Sequence, residues 1–199
     1  MIVWSDWVVS SVSVWDVERA IKKAVAERAH ELGANVHPSE VTLEIEREPV
    51  ASGCRLFRGY WGAGETMGYL SGVLRDQEPP DTYPAQALEK VFHRWIETDG
   101  ELPEATLVAR VVAYLYDAAG RHEVILSEKD KNALVQRPDW LAHIRVPKGT
   151  QVGSQTRIQF WWVGPRGPSQ VGVYFSKHGL IRTEELWIQD VLKGGENGS

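Results

Sequence analysis

The residues best suited to chemistry lie in Arg157–His178, which reads RIQFWWVGPRGPSQVGVYFSKH. Aromatic faces stack on planar ligands, and a guanidinium adds cation–π or phosphate contacts. Arg157, Trp161, Arg166 and Tyr174 are therefore candidate ligand- or partner-binding residues. The stretch alternates like two strands. Ile158, Phe160 and Trp162 oppose Arg157, Gln159 and Trp161, because successive strand side chains point to opposite faces. Val171, Val173 and Phe175 likewise oppose Gly172 and Tyr174. The uniformly apolar set is the expected core face. The other face is a binding platform if it is open. It is scaffold if a helix covers Trp161, as helices often cover sheets in α+β domains. The link Gly164–Ser169 reads as too long for a two-residue turn, and its Pro and Gly residues should end strand pairing.

A second set surrounds the glycine-rich segment Gly59–Gly72. Arg58, Tyr60, Glu65 and Thr66 would line an alternative, enzymatic pocket there. Gly62, Gly64 and Gly68 are spaced G-x-G-x-x-x-G, one residue off the dinucleotide fingerprint. No Lys-Ser/Thr pair follows Gly68, as a phosphate loop would need, and Arg55 and Arg58 do not suit a buried parallel strand. A glycine-rich turn or bulged strand pair is the preferred reading.

Other constellations are weaker. Glu89, His93 and Glu97 have helical spacing but oppose the apolar stripe, so they read as solvated. Glu44 and Glu46 share the wet face of a strand. Cys54, the single cysteine, lacks a neighbouring base and reads as a packed thiol. The six histidines form no close metal motif. Asp117 precedes a strand, but only Glu128-Lys129, beyond that strand, could complete a nuclease-like set. No catalytic residue, metal or cofactor is assigned.

These residues need elements to hold them. Val17–Leu32 has helical apolar spacing, with Ser13 or Asp16 as cap and Gly33 as stop. Ile2–Val9 is a candidate first strand, and Val41–Glu46 alternates as a half-buried one. Cys54–Trp61 is a strand, and Arg75–Thr82 a surface loop. Pro84 opens a second helix that stops before Gly100. Thr106–Tyr116 is read as a buried strand from its valines and tyrosines, although Pro103 and Gly120 could bracket a helix. Arg110 within it needs a carboxylate or solvent. Glu123–Leu126 and Ala142–Val146 follow as strands, the latter holding His143. A short helix is placed in Ser127–Gln136, a turn or helix start at Pro138–Trp140, and a turn at Lys148-Gly149. A last helix runs from Thr183 to Leu192, and residues 194–199 form a frayed tail.

The fold expected is α+β: a mainly antiparallel sheet of about six to eight strands carrying three principal helices. The 199 residues suit a single domain, with a candidate subdivision at the 75–83 loop. The net charge of −5 argues against broad nucleic-acid binding, but not against a local basic patch. The start lacks a basic segment before an apolar core, and no apolar run spans a bilayer, so a cytoplasmic protein without a membrane partner is expected. The function expected first is a non-enzymatic module that holds another protein, or a second copy, through the aromatic hairpin. A single-stranded nucleic-acid module comes second, and a small enzyme at the glycine-rich turn third.

Overall fold

The computed structural model describes residues 14–64, 67–76, 78–99, 102–117 and 122–191. The candidate strand Ile2–Val9, the pocket residues Glu65 and Thr66, and the 194–199 tail lie outside them.

The architecture is α+β with antiparallel sheets. Helix α1, Val14–Glu31, presents Ile21, Val25 and Ala29 to the interior, each fully buried. That spacing of four places them on one face, while Glu18 and Lys22 pair across another at 2.8 Å. The helix lies on the first sheet, β1 (Thr42–Ile45), β2 (Cys54–Trp61) and β3 (Gly68–Arg75), in that order. Gly59 sits beneath it; a Cβ there would come within 2.7 Å of a Val25 methyl. The missing side chain is what lets helix and strand approach.

Helices α2 (Pro84–Arg94) and α3 (Ala105–Tyr116) are sandwiched between this sheet and a second one. α2 continues into a wider π-helical turn, Trp95–Asp99. One apolar cluster joins Leu56 and Val73 of the first sheet, Val91, Phe92, Val108 and Val112 of the helices, and Ile158, Phe160 and Val173 of the second sheet. Trp95 is buried in it with its indole N–H donated to the Val50 carbonyl at 2.8 Å. The indole thus loses no hydrogen bond on burial.

The second sheet has five strands. β4 (Glu123–Ile125) and β5 (Lys148–Val152) share one edge of β6 (Gln155–Gly164), and β7 (Gly167–Ser176) and β8 (Gly179–Trp187) follow on the other. Short helices α4 (Glu128–Leu134) and α5 (Pro138–Leu141) and the helical turn 188–191 cap part of its outer face. α4 begins at Ser127, whose hydroxyl oxygen accepts from the Asp130 N–H at 3.2 Å.

Five sequence expectations are overturned in whole or in part. Thr106–Tyr116 is helix, not strand. It is packed between two sheets, so its apolar residues are needed on more than one side and the helical stripe is blurred. The first half of the expected Thr183–Leu192 helix is strand: β8 pairs with β7 through Trp187, only 188–191 are helical, and Leu192 lies outside the described residues. Ala142–Val146 is irregular chain that drops Ile144 into the interior, and Lys148-Gly149 opens β5 rather than turning. The hairpin link is also tighter than expected. Pairing continues to Gly164 opposite Gly167, leaving only Pro165-Arg166 at the tip.

Candidate functional site: the outer face of the second sheet

Register fixes which side chains share this face. Across β5, β6, β7 and β8, one row reads Thr150, Arg157, Tyr174, Arg182. The next reads Lys148, Gln159, Gly172, Glu184. The third carries Trp161, Gln170 and Leu186. Directly opposed residues in adjacent strands lie on the same side of the sheet, so the rows make one continuous surface.

Its two ends differ. At the Trp161 end the sheet is covered over β4 and β6, while Leu186 on β8 stays exposed. Trp161 is 1% exposed and packs with Ile125, Val135, Ile144 and Ile188, and with the partly buried Leu134, Trp140, Leu141 and Val191. It is a core residue and has no face available for stacking. At the other end Thr150, Lys148 and Arg182 are exposed, and Arg157, Gln159 and Glu184 are half-buried.

Tyr174 organises the open end. Arg157 from β6 stands 5.2 Å from its ring centre, and Arg182 from β8 stands 4.2 Å from it. Guanidinium groups are drawn to the negative face of the ring. The Tyr174 hydroxyl donates to Glu184 at 2.8 Å, and the other Glu184 oxygen takes Arg182 Nε at 2.8 Å. With its amide oxygen turned to Arg157, Gln159 accepts from Nη2 at 2.8 Å. Gly172 leaves the floor open: a Cβ there would meet Tyr174 at 3.3 Å and Arg157 Nε at 3.7 Å. That buried Nε has no hydrogen-bond partner among the described residues. The patch holds Lys148, Arg157 and Arg182 against the single carboxylate Glu184. It is locally basic on a chain of net charge −5.

The predicted residues thus separate. Arg157 and Tyr174 come together, Trp161 lies under the helices, and Arg166 is at the hairpin tip, 5.1 Å from the Trp187 ring centre. Trp187 is opposite Ser169 and on the other face of the sheet. Lys148, Arg182 and Glu184 are not among the candidates from sequence, because Lys148-Gly149 reads there as a turn and Thr183 as the cap of a helix. The available signal was the period-two alternation of Arg182, Glu184 and Leu186 against Thr183, Glu185 and Trp187.

Of the alternative pocket, Arg58 and Tyr60 share one environment. Arg58 lies between the rings of Tyr69 and Tyr114, at 4.9 and 4.4 Å, and donates to Ser71 Oγ at 3.1 Å. Tyr60 donates to Glu44 at 2.6 Å, and Arg110 meets Glu46 at 2.5 Å. Burial pushes the Tyr114 hydroxyl well above the usual tyrosine range. These groups are satisfied by one another, and they tie α3 to the first sheet. Cys54 is fully buried, and desolvation raises its thiol pKa, away from the reactive thiolate.

A histidine near the hairpin also has a partner. The Asp117 carboxylate faces His122 Nδ1 at 3.0 Å, and the imidazole rests 4.7 Å from the Trp162 ring. Trp162 in turn donates to Ser169 and Glu185, and the Ser169 hydroxyl donates to Glu185 at 2.6 Å. Ser169 is fully buried and committed to the carboxylate, so it is no surface nucleophile. His143 is exposed, and Glu89 and His93 approach only to 3.9 Å. Among the described residues no group of three His, Cys, Asp or Glu could hold a metal ion, and no helix is long and apolar enough to cross a membrane. Comparison with protein-family models, with curated proteins and with solved structures found no match.

Proposed function

We propose that the chain is a non-enzymatic binding module that holds an acidic segment of another protein on the open end of the second sheet. One observation carries this reading: Arg157 and Arg182 flank Tyr174 across three adjacent strands, beside Lys148, on a face that no described element covers. The cation–π contacts hold the guanidinium groups in place, so less side-chain freedom is lost when a carboxylate docks. Long-range attraction would steer an acidic segment to this patch and repel it from the rest of the acidic surface.

Nucleic acid is the second reading, since phosphate would meet the same cations. It fits less well. Trp161 is buried, and Tyr174 is 7% exposed with guanidinium groups against its ring. Base stacking needs an accessible aromatic face.

Fluorescence anisotropy with labelled hexaglutamate and labelled oligothymidylate, at low and high salt, separates the two. The acidic peptide is expected to bind at low salt and weaken as salt rises. Tighter binding of the oligonucleotide would transfer the patch to nucleic acid. No binding of either at low salt would remove the reading. Light scattering over a dilution series tests whether the partner is a second copy.

A further inference from the structure

The opposite face of the same sheet holds a second concavity, independent of the basic patch. It begins where the core face runs past the helical layer. The row that carries buried Phe175 continues through Thr156 on β6 and Gln151 on β5. Here the strand positions turn from apolar to polar. Beside them, the π-helical turn brings Ile96 alongside, and Leu102 follows shortly after. The result is a groove of about 300 Å³.

Its two sides are chemically distinct. Phe92 and Phe175, stacked 4.7 Å apart and nearly parallel, are buried behind it, and the half-buried Ile96 and Leu102 form its apolar wall. Ser154, Ser176 and Lys177 lie along the polar side. Lys177 is exposed and has no ion pair with a described residue. The Ser176 oxygen already accepts from the His178 N–H at 3.1 Å, which leaves its own hydrogen to be donated. Thr156 and Gln151 bond each other at 3.0 Å and only shape the mouth. Every uncommitted polar group named here can donate, and the single charged one is cationic.

We propose that this groove is a binding site for a small amphipathic monoanion, with an apolar chain along Ile96 and Leu102, backed by the buried Phe92 and Phe175, and an anionic head at Ser176 and Lys177. A volume near 300 Å³ is at the small end of ligand sites, which suits a medium-length chain and excludes a bulky one. A few convergent donors at one end of an apolar surface fix orientation. The charge decides the head group. A cationic amphiphile of the same length would place its ammonium against Lys177.

The test is a titration of the full chain with octanoate, followed by amide shifts in two-dimensional NMR, with octylamine and acetate as controls. Octanoate is expected to give saturable, millimolar-range shifts centred on Ser154, Phe175, Ser176 and Lys177. Octylamine and acetate should be at least severalfold weaker. Lys177→Glu, at an exposed turn, should weaken octanoate roughly tenfold, and Ile96→Trp should abolish binding by filling the groove. The proposal is overturned if octanoate gives no saturable shift at these residues, or if octylamine binds as well. It is overturned equally if Lys177→Glu leaves octanoate binding unchanged.

Discussion

Arg157 and Trp161 share one face of one strand, yet their surroundings are opposite. Trp161 lies in an apolar cluster under α4, α5 and the 188–191 turn. Arg157 stands on open sheet, held by Tyr174 and Gln159. The difference comes from where the covering segments run, not from the strand. Residues between β4 and β5 fold back as two short helices and place Leu134, Val135, Trp140 and Ile144 over one end only. An aromatic on a sheet face is therefore neither core nor platform by itself. Here the tryptophan holds the fold together, and the tyrosine aligns the cations beside it.

The largest way to break this contrast is at the covered end. Trp161→Ala should cost about 3–5 kcal/mol, as for large aromatic truncation in a packed core. Urea denaturation should show it as a lowered midpoint with an unchanged slope. Arg157→Ala, two rows away on the open end, should cost less, about 1 kcal/mol, because Arg157 is only half-buried and no apolar cluster packs over it. Equal costs at the two positions would mean that the two ends are not different in kind.

The cover itself can be loosened next. Ser127→Ala removes the cap of α4 and should cost about 1 kcal/mol. It also deletes the main hydrogen bond that keeps the Asp130 carboxyl below the usual aspartate range. A folded pKa below the unfolded one stabilises above the unfolded value, and that stability is lost as pH falls through the folded value. The wild-type helix should therefore weaken on acidification below the ordinary aspartate range. Ser127→Ala should blunt that response, read from hydrogen exchange of the α4 amides over a pH series.

Much of this layout is legible in the sequence, but unevenly. α1, β2 and the alternation of β6 and β7 are set locally, by spacing that one element can satisfy alone. α3 is not, because Val108, Val111, Val112 and Leu115 serve a core shared by two sheets. Its valines favour a strand locally, and tertiary packing overrides them. β8 fails for a related reason. Thr183, Glu184 and Glu185 resemble a helix start, and only pairing with β7 makes them strand. Arg157 and Tyr174 could be chosen from the sequence. Arg182 had only the short alternation of residues 182–187 to mark it, and Lys148 nothing local, since both lie on strands that long-range pairing completes.

A smaller effect concerns reactivity. Cys54 should resist a thiol reagent in the folded protein at mildly alkaline pH, where burial disfavours its thiolate, and should react fully in urea. Fast labelling of the native chain would mean that the core around β2 opens readily.

The most direct test of the central claim is amide-shift mapping with hexaglutamate on the wild-type chain and on Arg157→Glu/Arg182→Glu. The account predicts wild-type shifts centred on Lys148, Arg157, Gly172, Tyr174 and Arg182, with little change around Trp161, and their loss in the double variant, which stays folded. Shifts centred elsewhere, or an undiminished response in the double variant, would contradict it.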